Sequence, residues 1–136
     1  MQNPRPGPLD EKSEIEENCF MRSVETTDEF YERIREGRPL LACFQAHWCG
    51  DCHYLKPAYP DIESRFAGVV DFVEVDIDEL PDIARAHEVS GIPSFILFSS
   101  SREIFRLVNP RRKTKEELTD FLEKGLALLP RSKEFS

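Results

Sequence analysis

The sequence predicts an α/β domain with a central mixed sheet of about five strands flanked by about four helices. Three observations predict it. Short apolar runs alternate with helix-patterned stretches through most of the chain. Two of those runs, Leu40 to Gln45 and Ser94 to Phe98, are almost wholly apolar, as strands covered on both faces would be. The last two runs are separated by only the short turn Ser99 to Arg102, which is too tight for anything but an antiparallel pair.

The elements follow in order. Residues 1–18 are Pro-rich and then acidic, and they read as a tail with too little apolar surface to offset its ordering entropy. The globular pattern runs over residues 19–130, with 131–136 as a C-terminal tail. Phe20 to Val24 fits a short edge strand. Thr26 with Glu29 is a capping-box signature, and the helix it opens carries Phe30, Tyr31 and Ile34 inward and stops at Gly37. Leu40 to Gln45 is the buried second strand.

A helical stretch from Cys49 to about Ala67 is interrupted by Pro57 and Pro60, each of which removes a backbone donor and predicts a kink. Val69 to Ile77 is the third strand, and Pro81 marks the start of a third helix. Ile104 to Val108 is the fifth strand. Thr114 with Glu117 caps a last helix whose Leu118, Phe121, Leu122, Leu126 and Leu129 share one face. Helical crossovers in the first part imply parallel pairing there.

Composition narrows the function. The chain has 136 residues, enough for one domain with a substantial core. It holds 26 acidic and 18 basic residues, a net charge of -8, which argues against a general binder of nucleic-acid backbones. No apolar run approaches the length that spans a bilayer, and the start lacks the apolar core of a secretory signal. A cytoplasmic location is therefore expected, with thiols kept mostly reduced. Four cysteines are too few for a disulfide scaffold, and the histidines do not complete a zinc finger around them, so no metal site is read.

The chemistry concentrates in His47-Trp48-Cys49-Gly50-Asp51-Cys52-His53. Two cysteines three apart can close a small disulfide across one helical turn. If the strand ends near Ala46, Cys49 lies at a helix N-terminus, where free amides favour a thiolate. Cys49 is then the exposed nucleophile, and Cys52, one turn deeper, resolves the mixed disulfide. Asp51 disfavours the thiolate by like charge; His47 and His53, when protonated, push the other way, and Gly50 completes the tuning segment. Trp48 is the chain's single tryptophan and its flat ring can shield the sulfurs.

These residues resemble the thioredoxin family, from about Phe20 to Leu129. Trp48-Cys49-Gly50-Asp51-Cys52 matches the family's W-C-G-P-C with Asp in place of Pro. Pro57 matches the proline of the active-site helix. Val75-Asp76-Ile77-Asp78 resembles the end of the third strand, and Gly91-Ile92-Pro93-Ser94 the segment with the cis-proline.

The resemblance implies a thioredoxin fold and a thiol–disulfide oxidoreductase that reduces protein disulfides. It implies no bound cofactor and a separate reductase of the thioredoxin-reductase type as electron donor. Ile92 and Pro93, Trp48 and the loop from Asn109 are implied to hold the substrate chain. The family's buried Asp falls on Cys43, its strand-end Lys on Glu74 and its second groove Trp on Gln45. Glu74 is the candidate to take over the proton relay to Cys52. Asn109 to Lys113 forms a basic patch suited to an acidic partner. A binding or chaperone-like module on the same fold is the rival reading; a carrier of metal or an iron–sulfur cluster between two chains is a third.

Overall fold

The computed structural model describes residues 21–129. Both tails and Cys19 lie outside them. Five strands form one sheet in the order β1-β3-β2-β4-β5. They are β1 (Arg22–Ser23), β2 (Leu40–Gln45), β3 (Asp71–Asp76), β4 (Ser94–Ser99) and β5 (Arg102–Leu107). The helices are α1 (Thr27–Arg35), α2 (Gly50–Leu55), α3 (Tyr59–Arg65), α4 (Pro81–Ala86) and α5 (Lys115–Ala127). The expected second helix is thus two α-helices, joined by the 3₁₀ turn Lys56–Ala58 that holds Pro57. A proline amide cannot donate, so the tighter turn absorbs the missing bond.

The strands β1, β3 and β2 run parallel, as the crossovers imply. β4 departs from that rule and runs antiparallel to β2. β4 starts at the end of the sheet where β3 stopped. Ser94 consequently sits beside Phe44, and the segment before it reaches the C-terminal end of β2. β5 then pairs antiparallel with β4, as the short turn requires.

Period-2 alternation splits the core between two faces. Leu40, Ala42 and Phe44 pack with Val73, Val75, Ile96 and Phe98 under Phe30, Ile34 and Ile83 of α1 and α4. Leu41, Cys43, Phe95 and Leu97 pack under Leu55, Tyr59 and Ile62 on one side and Leu118, Phe121 and Leu122 of α5 on the other. Every residue of β2 is buried, in keeping with a strand covered on both faces. Thr26 Oγ1 accepts from the Glu29 amide at 3.0 Å, while the Glu29 carboxylate reaches the Glu25 amide at 2.8 Å. Thr114 and Glu117 complete a full reciprocal capping box at α5. Such a cap contributes about 1 kcal/mol. No helix among the described residues is long and apolar enough to cross a membrane.

Candidate active site

The site is assembled at one end of the sheet, where β2 and β3 end and β4 begins. Ala46 leaves β2 and the chain turns at once into α2, so Cys49 becomes the N-cap of that helix. Its sulfur accepts a hydrogen bond from the Cys52 amide at 3.1 Å. The sulfur thus satisfies one of the free amides at the start of the helix. Cys52 sits one turn deeper and is fully buried. Burial, reinforced by the hydrogen bond to Cys49, pushes its thiol up to about 12. Cys49 is itself buried, at 5% exposure, and not the exposed residue expected; the two sulfurs differ in that Cys49 lines the groove and is capped by an amide, whereas Cys52 is held as a thiol behind it.

That groove has a volume of about 490 Å³. Trp48, Cys49 and Asp51 line one side, and Gly91, Ile92 and Pro110 the other. The Ile92–Pro93 peptide is cis, as the resemblance implies. Trp48 is two-thirds exposed, and its indole donates to Asp78 Oδ2 at 2.7 Å. The ring is thus pinned at the groove's rim rather than packed in the core.

Comparison with known proteins decides the family. The Thioredoxin family model matches residues 22–124. The chain belongs to the thioredoxin family. It is 36% identical to Thioredoxin H2 of Arabidopsis thaliana over 88 residues, 64% of this chain and 65% of that protein, so the match spans slightly less than two thirds of that relative. It is 31% identical to a thioredoxin of Staphylococcus aureus over 106 residues, 78% of this chain and 100% of that one. Among solved structures, the oxidised mitochondrial Thioredoxin 3 of Saccharomyces cerevisiae aligns with a TM-score of 0.66 at 29% identity, covering 80% of this chain and 95% of that one. The thioredoxin of Trypanosoma brucei brucei aligns with a TM-score of 0.71 at 23% identity over 80% and 93% of the two chains, a likeness of fold. In this family setting, Cys49 and Cys52 fit a C-x-x-C active site.

Other expected residues fall in less simple places. Asp51 does not face the dithiol as a free charge. It pairs with Arg112 at 3.2 Å, and the same guanidinium stacks 4.3 Å above the ring centre of Tyr54. His53 bonds through its ring nitrogen to the His47 carbonyl at 2.7 Å. His47 Nε2 lies 3.5 Å from Asp76 Oδ2. Asn109 spends its side-chain oxygen inside its own loop, on the Arg111 amide at 2.9 Å and Lys113 Nζ at 2.8 Å. Pro110 is the residue of that loop which lines the groove.

One further expectation is corrected. The basic patch is not a run of surface charge, because Lys113 is fully buried. Its ammonium is caged by the Asn109 carbonyl and side chain and by the Arg111 carbonyl at 2.6–2.8 Å. Burial, with Arg111 nearby, lowers its pKa. Glu74, the candidate relay, is held against other groups. Its carboxylate lies 3.9 Å from Lys56 Nζ and 3.4 Å from Ser23 Oγ. It raises the pKa of Cys43, after burial itself, and that of Glu63, whereas the groups acting on Cys52 are Cys49, Ala46 and Asp51.

Sequence reasoning missed Asp78 as the anchor of Trp48 and Tyr54 as the seat of Arg112. Neither has a spacing signal. Asp78 reaches Trp48 only because β3 lies beside β2, and Arg112 reaches Tyr54 across 58 residues of chain.

Proposed function

We propose that the chain reduces disulfides of partner proteins by dithiol exchange. The asymmetry of the pair carries this reading: an amide-capped Cys49 on the groove and a buried, protonated Cys52 behind it. Cys49 attacks one sulfur of the bound disulfide, forming a mixed disulfide and releasing the other substrate sulfur as a thiolate. Cys52 then gives up its proton to that departing base and attacks the Cys49 sulfur. The Cys49–Cys52 disulfide closes and the second substrate thiol leaves. Two electrons have passed to the substrate, and the chain is left oxidised.

Trp48 and Ile92 form the two walls between which an extended substrate segment lies, with Pro93 fixing the turn behind Ile92. Return to the dithiol state falls to a separate reductase of the thioredoxin-reductase type. The same reading puts the chain in a reducing compartment, the cytoplasm, and needs no bound cofactor.

The test is reduction of insulin disulfides with dithiothreitol as the electron source. The parent chain is expected to accelerate precipitation of the free insulin chains, and Cys49→Ser to abolish the effect. Cys52→Ser should instead trap a covalent adduct through Cys49. An inert parent, or a Cys49→Ser variant with the parent rate, overturns the proposal in favour of a binding module on the same fold.

A further inference from the structure

The groove is charged differently at its two ends. At the Trp48 end, the lining residue Ile77 is followed by Asp78 and Glu79, both exposed. At the Pro110 end stand Arg111 and Arg112, also exposed. The chain as a whole carries a net charge of -8, which disfavours acidic partners at long range. Salt screens exposed charges beyond about 8 Å at physiological ionic strength. A segment lying in the groove therefore feels the charge at each end more than the net charge of the chain.

Arg112 is held ready at that second end. Its guanidinium stacks 4.3 Å above the ring centre of Tyr54, and its Nε donates to Asp51 Oδ1 at 3.2 Å. Asp51 lines the groove, so this bond keeps the cation at the groove's lip. The loop beneath is anchored by buried Lys113, which donates to the Asn109 carbonyl at 2.7 Å and the Arg111 carbonyl at 2.6 Å. Asp51 balances one of the two arginines, and the other leaves this end positive.

The guanidinium also has capacity to spare. Only its Nε–H is engaged among the described residues, and the side chain is more than half exposed. An arginine carries its N–H donors in a rigid planar fork that matches a carboxylate. A fork already seated on an aromatic face loses little freedom when a carboxylate arrives.

We propose that Arg112 is a specificity-determining residue, and that the chain prefers disulfides whose cysteine is flanked by a carboxylate side chain on the side lying over Pro110. This rests on the reading that the chain reduces protein disulfides, and it names the class of segment taken. The terminal N–H groups of Arg112 donate to the incoming carboxylate while Nε stays on Asp51. An acidic residue on the opposite flank meets Asp78 and Glu79 and gains nothing.

The experiment mixes the dithiol chain with peptide disulfides that differ only in Glu or Gln beside the reactive cysteine, on one flank or the other. Release of free peptide thiol is read after acid quenching. The parent chain should favour Glu over Gln by about threefold to fivefold on one flank only. About 1 M sodium chloride should erase the preference. Arg112→Gln should bring the ratio to that of the free peptides with dithiothreitol, and Arg112→Glu should invert it. The ratio cancels any change in the Cys49 nucleophile, which acts on both peptides alike. The Arg112→Gln comparison is repeated on an Asp51→Asn background. Loss of preference there as well is expected; if Arg112→Gln has no effect on that background, Arg112 only screens Asp51 and the proposal is overturned. A preference on both flanks, or on neither, overturns it too, while reduction itself stands. A parent chain inert towards every peptide overturns the reduction, and the selectivity with it.

Discussion

Replacing Gly91 by alanine tests the geometry of the groove directly. A Cβ built there would stand 2.5 Å from Pro110 N, 2.6 Å from Pro110 Cα and 2.7 Å from the Asn109 carbonyl carbon. Ordinary contact between such atoms needs about 3.5 Å. Either the Ile92 segment or the Asn109–Lys113 loop must therefore retreat by about 1 Å. All three obstacles are backbone, so no side chain can rotate away. The loop is also tied down by buried Lys113, which grips Asn109 twice. Overpacking of this kind costs about 1–3 kcal/mol. The larger effect falls on function, because a misplacement of about 1 Å costs on the order of 100-fold in rate. Gly91→Ala should lower the urea midpoint moderately and insulin reduction severely. A variant with the parent midpoint and the parent rate would refute the claim that this contact sets the groove's width.

Three further outcomes follow from buried or paired charges. Burial and the nearby Glu74 raise the Glu63 carboxyl to about 7. Its stabilising contribution is present below the unfolded value near 4.5 and is lost as pH rises through 7, so Glu63→Gln should flatten the fall in urea midpoint between pH 5 and pH 8. Lys113→Met leaves three loop oxygens without their donor and should cost about 2–3 kcal/mol in chemical denaturation, since charged hydrogen bonds are worth about 1.5–3 kcal/mol each. Arg112→Ala leaves Asp51 unpaired. At roughly 7 Å and an effective dielectric of about 40, the repulsion on a Cys49 thiolate is about 1 kcal/mol. The chain should become more reducing by at most about 25 mV in a thiol-buffer titration, and less at high salt.

The fold was legible where local pattern and burial agree. β2 spans the predicted Leu40–Gln45, and Pro81 and Thr114 mark helix starts as expected. The direction of β4 was not legible. No residue pattern in Ser94 to Ser99 encodes which way the strand runs, because an apolar run buried on both faces reads the same in either direction. In the site, Cys49, Cys52 and Trp48 were readable because their spacing and order are themselves the chemistry. Lys113 was misread, because a lysine between two arginines and a threonine carries no mark of burial. Its cage is built by carbonyls, which are identical at every residue. Arg112 with Tyr54 likewise exists only once the loop before α5 folds back over α2.

Cys43 lies six residues before the nucleophile in a molecule whose work is shuffling sulfur–sulfur bonds. Its burial in the sheet, with the Glu74 and Glu63 carboxylates close by, holds its thiol far above the ordinary range. Cys52 is also held as a thiol, but it stands behind the groove where a departing substrate sulfur can take its proton; Cys43 is walled inside β2, away from the groove lining. Among the described cysteines, the exchange therefore keeps a single intramolecular exit.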